Sequence, residues 1–189
     1  MAVVAMKKAA EMLRSGYNDE ENAVKCLALS TAIDSGINEY AVIDDPEYGK
    51  VYAYEVDGLG NALIMDDANS PGLLSIPYIG YCDKNDEIYV NTRKMILSSK
   101  NPFYSEGKAA KGIGSPHTGV NTIWHISLIM QILTTDDENE KKECLKMISE
   151  THAGTNFMHE SFNKDNAADY TRSWFAWANS LFAQMLGTL

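Results

Sequence analysis

"NDEIYVNTRKMILSS", residues 85–99, runs directly into "KNPFYSEGKAAKGIGSPHTGV", residues 100–120, and this junction decides the fold. The first segment opens on acids and closes on bases, as the helix dipole favours, and predicts a helix over 85–99. The second is dense in Gly, Pro and polar residues and reads as a long loop through 121. An apolar run then predicts helices over 122–134 and 137–151. Working outward, the same alternation of helix and long loop recurs. "MAVVAMKKAAEMLRSG" patterns as an amphipathic helix over 2–14 with Gly16 as its stop. A second helix is predicted over 20–40, with Asp19 as N-cap and Val24, Leu27, Ala28, Thr31 and Ile33 facing inward. "KVYAYEVDG" alternates and predicts a short strand or extended segment at 50–56. Residues 57–72 read as a loop, and "SPGLLSIPYIG" as a short helix with Ser70 as N-cap and Pro71 in its first turn. "AGTNFMHESF" lies in a loop, and a final helix is predicted from Ala168 to Leu186. The class is therefore all-α, with one extended segment. Without a repeat, linker or low-complexity stretch, residues 1–189 read as a single domain.

Composition narrows the function. Hydrophobic residues make up 45% of the 189, as in a globular chain. A formal net charge of −10 argues against a nucleic-acid backbone as partner and suits a neutral ligand such as a sugar. Three dispersed cysteines, Cys26, Cys82 and Cys144, form neither a disulfide framework nor a zinc pattern, and lean towards a reducing, cytoplasmic setting. No apolar run reaches the roughly 18 residues of a membrane span. Long loops in a helical domain tend to be functional. Three of them here share Asp, Asn, His, Glu, Gly and aromatics. Carboxylates and amides fork onto adjacent hydroxyls, and aromatic faces cover C–H patches, so this is sugar-binding chemistry.

Four constellations carry it. In "VDGLGNALIMDDANSPG", Asp57, Asp66, Asp67 and Asn69 crowd one loop near Tyr52 and Tyr54; turn formation or helix capping would account for them equally. "GLG" there lacks the spacing of a phosphate loop. In "GIGSPHTG", glycines 112, 114 and 119 let backbone pass close to a ligand or another loop, and Pro116 holds His117 extended; a packed loop with a carbonyl-capping histidine is the plainer account. In "TNFMHESF", Glu160 follows His159. A zinc H-E-x-x-H would need a histidine where Asn163 stands, and the histidines at 117, 125, 152 and 159 have no ligand spacing. No G-x-S-x-G elbow exists either. Glu160 is then a general acid or base, or a carboxylate hydrogen-bonded in the core. In "DYTRSWFAWANSLF", Trp174, Phe175 and Trp177 suit a core helix, while Arg172 near its start wants a carboxylate partner.

Together these stretches resemble glycoside hydrolase family 125. The resemblance rests on "GKVYAYEVDGLGNALIMDDANSPGLLSIPYIGY", "NTRKMILSSKNPFYSEGKAAKGIGSPHT", "IWHISLIMQILTT", "MHESFN" and "YTRSWFAWANSLFAQML" in fixed order. It covers almost the whole chain, most densely from 49 to 186. It implies a metal-independent, exo-acting α-1,6-mannosidase that inverts configuration, built as an (α/α)6 toroid of helical hairpins with its site in loops at one end, and needing no cofactor. The family's base glutamate maps to Glu160. His159 is then a neighbour that orients the base or meets a sugar hydroxyl. Asp57, Asp66, Asp67, Asn69, His117 and Arg172 complete the expected substrate-binding set.

The family's acid is an aspartate upstream of the "YEVDG" block, and "MAVVAM" resembles a helix start midway along the catalytic domain. The resemblance therefore implies roughly the second half of a toroid, with the acid before Met1. Two expectations follow for the chain as it stands. Apolar faces on the first and last helices should drive self-association through the open barrel edges, and hydrolysis of α-1,6-mannobiose should be undetectable. A non-catalytic mannoside-binding or scaffold half-barrel is the competing class. Another toroidal glycosidase or lyase is a weaker third.

Overall fold

In the computed structural model, residues 1–188 are described. Helix α1 (Ala2–Tyr17) and α2 (Glu20–Gly36) form a hairpin. Gly16 lies inside α1. The helix ends instead at Asn18, whose left-handed φ of 52° lets its N–H return to Leu13 O. Asp19 caps α2 as its sequence predicts, accepting from Asn22 N. Val3, Ala10, Ala23 and Ser30 are buried between the two helices, and Ser30 Oγ donates to Val3 O. The expected inner row of α2 is rotated: Val24, Ala28 and Thr31 are exposed, because the packed seam runs through Ala23, Leu27 and Ser30. A π-helical turn, Ile37–Ala41, ends the second helix and feeds a hairpin of β1 (Val42–Asp45) and β2 (Gly49–Tyr52).

The extended segment expected at 50–56 thus exists, and more strand exists than the all-α reading allowed. Strands β3 (Glu55–Val56) and β4 (Ala62–Leu63) pair across the Asp57 turn. Helix α3 (Glu87–Ile96) starts at Asp86, which accepts from Tyr89 N. The long loop after it contains a hairpin of β5 (Tyr104–Glu106) and β6 (Lys111–Ile113). Strand β7 (Thr122–Ile123) precedes α4 (His125–Leu133) and α5 (Glu138–Glu150). Strands β8 (Ser161–Asn163) and β9 (Asn166–Thr171) join β7 in an antiparallel sheet ordered β7–β8–β9. Helix α6 (Ala176–Leu186) closes the described chain, so the expected helix start at Ala168 is a strand.

Helix α4 is the centre of the core. Every residue from His125 to Ile132 is buried, the apolar Ile, Leu and Met side chains together with the polar His125, Ser127 and Gln131. It packs against α5, α6 and β6. Trp124, Phe162, Ile113, Ile148 and Met185 complete the same cluster, while Val3, Ala10 and Ala23 lie outside it. Among the described residues, no helix is long and apolar enough to cross a membrane.

Candidate active site

The sheet assembles the site. In the β8–β9 register Ser161 lies opposite Thr171, so the end of β9 stands beside Glu160, the residue before β8. Thr171 Oγ1 and Arg172 Nε both donate to Glu160 Oε2, each at 3.1 Å. Arg172 adopts a φ of +51°, uncommon for a residue with a side chain, and this turn swings its guanidinium onto the carboxylate. The carboxylate partner expected for Arg172 is therefore Glu160, although Arg172 sits in a turn before α6 rather than on a helix. Among the described residues nothing donates to Oε1; His117 Nε2 lies 4.0 Å from it. The Glu160 side chain is 8% exposed, against 66% for His117 and 61% for Arg172. A sunken carboxylate thus opens to the surface between two exposed polar side chains. One oxygen is anchored, and the other is free to hold a water and take its proton.

An aromatic wall stands behind it. Trp124 meets His117 and Phe175 edge-on at 6.3 and 6.1 Å, and the Arg172 guanidinium lies 5.7 Å over the Phe175 ring. Trp124 Nε1 donates to Thr118 Oγ1. Trp174 and Trp177, expected in the core, are instead 57% and 38% exposed: Trp174 lies in the turn before α6, and Trp177 is turned away from the face of α6 that buries Ala178, Leu181 and Met185.

The loop of Asp66 and Asn69 reaches the same place. Ala68 N donates to Gly114 O, and Asn69 Nδ2 donates to Ser115 Oγ, which also accepts from His117 N. Gly114 is required here: a Cβ would strike the Thr122 carbonyl. Asp67 Oδ1 accepts from both Asn69 N and Nδ2, so it shapes the turn that presents Asn69. Asp66 has no access to a ligand. It is wholly buried, and its oxygens accept from Leu73 N at 2.7 Å and Leu74 N at 3.0 Å. Burial pushes its carboxyl up to about 7, against the pull of those amides. It does the capping expected of Ser70, across a 3-10 turn, Leu73–Ser75. Asp57 spends its carboxylate within its own turn, on Leu59 N and Asn61 N, and none of its bonds leads towards Glu160.

His159 is not a sugar contact either. It is fully buried, stacked on Tyr170 at 3.9 Å, with its ring nitrogens 3.2 Å from the carbonyls of Arg172 and His152. Thr171, Ser115, His125 and Tyr170 were not singled out by sequence. Only strand pairing brings Thr171 and Tyr170 to the site, and "NAADYT" carries no alternation strong enough to announce a strand. Two clefts of about 400 and 510 Å³ lie elsewhere and are not lined by Glu160, His117 or Arg172. Among the described residues, no three His, Cys, Asp or Glu side chains are grouped to hold a metal ion.

The loops of a helical scaffold thus gather an anchored carboxylate, an arginine, a histidine and an aromatic wall. The bacterial glucoamylase solved with acarbose shares the fold at a TM-score of 0.74 over 99% of this chain and 32% of that one, at 13% identity. The family model for metal-independent alpha-mannosidases, GH125, matches residues 1–187, and the chain belongs to that family. A metal-independent alpha mannosidase of Streptococcus pneumoniae, solved as a non-productive complex with α-1,6-mannobiose, superposes at a TM-score of 0.94 with 43% identity. The meiotically up-regulated gene 157 protein of Schizosaccharomyces pombe is 48% identical over 188 residues. The chain spans 36% of the yeast protein and 44% of the streptococcal chain, while 98% of it is matched in each case.

Proposed function

We propose that these residues form the base-bearing part, roughly the second half, of an (α/α)6-toroid exo-α-1,6-mannosidase that inverts configuration without a metal. The observation that carries this reading is the unequal setting of the two Glu160 oxygens. Oε2 is held by Thr171 and Arg172, whereas Oε1 is open and faces His117. That arrangement suits a base that must keep its orientation while activating water. Asn69, His117 and Arg172 are the groups we assign to sugar hydroxyls, with Asp67 holding Asn69 in place. The streptococcal relative solved with α-1,6-mannobiose supports that ligand class.

Inversion also needs a carboxylic acid about 6.5–9.5 Å from the base. Asp57, Asp66 and Asp67 are each already committed to backbone amides. In keeping with the family resemblance, we assign proton donation to an aspartate outside these 189 residues. The same engaged carboxylates favour the second reading, a mannoside-binding module without catalysis. Free Cys26, Cys82 and Cys144 support placement in a reducing compartment such as the cytoplasm.

The test is to titrate the chain with α-1,6-mannobiose, following both amide shifts and released mannose. The expected result is saturable perturbation around His117 and Arg172 with no mannose released. An aryl α-mannoside, whose leaving group needs less protonation, should be cleaved slowly. Aryl mannosides bound but never cleaved would favour the binding module. Robust release from mannobiose would place the acid within the chain, with Asp57, Asp66 and Asp67 the first to mutate.

A further inference from the structure

His125 opens α4 directly behind the site and is fully buried. Its Nδ1 lies 3.0 Å from His159 N and 3.2 Å from His159 O; its Nε2 lies 3.0 Å from Thr151 Oγ1. Thr151 spends its hydroxyl proton on Met147 O at 2.7 Å, so its oxygen is left to accept from the ring. The His159 N–H points at Nδ1, and a proton there would set N–H against N–H and strand a buried amide. The ring is thus a neutral imidazole with its one N–H on Nε2 and a lone pair on Nδ1 that grips the peptide leading into Glu160. His159 extends the grip. Its ring lies between the carbonyls of His152 and Arg172, and with its N–H on Nδ1 it donates to Arg172 O and fixes the left-handed turn from which Arg172 reaches Glu160 Oε2.

We propose that His125 and His159 form a buried two-histidine strut that positions the Glu160 carboxylate and the arginine gripping it, without touching substrate. The strut deepens the reading of Glu160 as base and rests on it for its functional meaning, but its geometry is tested separately. Tyr170, stacked on His159, and Thr151, bonded to His125, brace the strut from β9 and from the end of α5.

Long-range 15N–1H spectra of the 189-residue chain at neutral pH report each histidine tautomer directly. The expected result is His125 in the Nε2–H form; an Nδ1–H form overturns the proposal. Two variants probe the consequence, read at the Arg172 Nε–H signal, whose chemical shift and line width report its bond to Glu160. In His125→Asn, Oδ1 replaces the Nδ1 lone pair, and the signal is retained. In His125→Gln, the side-chain amide replaces Nε2 but no acceptor faces His159 N–H, and the signal broadens away while amide dispersion elsewhere persists. An undisturbed Arg172 signal in a folded His125→Gln chain overturns the proposal; if that variant does not fold, the tautomer alone decides. Glu160→Gln separates the two readings. Unchanged aryl-mannoside cleavage in that variant, with the tautomer and the Asn/Gln contrast as described, removes the base assignment and leaves the strut standing.

Discussion

At Glu160 the two carboxylate oxygens keep different company, and that difference makes the residue testable. Glu160→Gln leaves an oxygen for Thr171 and Arg172 but removes the basic site facing His117. Slow cleavage of an aryl α-mannoside should fall by roughly 10²–10⁴-fold, with the thermal midpoint nearly unchanged. Loss of folding in step with loss of rate would instead mark Glu160 as a core carboxylate. His125 predicts a pH dependence. Burial, chiefly, holds its ring down to about 3, and the neighbouring His159 and His152 push the same way, against the backbone contact at His159. An unfolded histidine titrates near 6.5. Between those values the unfolded chain binds the extra proton, so stability is fully present above about pH 6.5 and lost as the pH falls towards 3. The slope from this one group is up to about 1.4 kcal/mol per pH unit. Asp66, held up at about 7, slopes the opposite way over the same range, so the His125 contribution is read as a difference. As the pH falls from 7 to 4, the urea midpoint of the unaltered chain should decline relative to that of His125→Asn.

Among the elements, those whose ends are marked by local chemistry were legible. Asp19, Asp86 and Asp137 each stand at a helix start and accept from an amide two or three residues on, so α2, α3 and α5 could be read from neighbours in sequence. What could not be read is what distant partners decide. "NAADYT" offers alanines that suit a helix as well as a strand, and it becomes β9 only because β8 pairs with it. Ser70 looked like a cap, but the capping is done by Asp66, seven residues before Leu73. Of the site, Glu160 was reached by family resemblance, and Arg172 by the need of an arginine for a carboxylate. Thr171 and His125 become visible only when the sheet and α4 are in place. Asp66→Ala should test the capping role. It leaves the Leu73 and Leu74 amides buried without acceptors, at about 1–3 kcal/mol each. The denaturation midpoint should drop, and Asn69 should lose its alignment on Ser115, weakening mannobiose binding more than Ser70→Ala does.

On the scale of the whole molecule, the first and last helices both carry exposed apolar side chains. Met12, Val24 and Leu29 on the first hairpin are 63%, 52% and 51% exposed, and Trp174, Trp177 and Leu186 near the other end are 57%, 38% and 51% exposed. Apolar side chains left in water at both ends of the chain can promote association where they form a patch. In sedimentation velocity the 20.9 kDa chain should run as a dimer or larger. Val24→Lys with Trp177→Lys should return it towards a monomer while leaving the interior untouched. A monomer before mutation would show that these side chains are tolerated singly in water.

The β7–β8–β9 pairing also sets a timetable. Residues 1–36 can pack as a hairpin from contacts close in the chain, whereas Glu160 gains Arg172 only after β9 has followed β8. At about 5–20 residues per second of synthesis, the 47 residues from His125 to Arg172 take roughly 2–9 seconds to appear. For that interval α4, the most apolar helix, exists without the strand that shields its first residue. A chain ending after Glu160 but before Thr171 would hold a glutamate with neither its threonine nor its arginine.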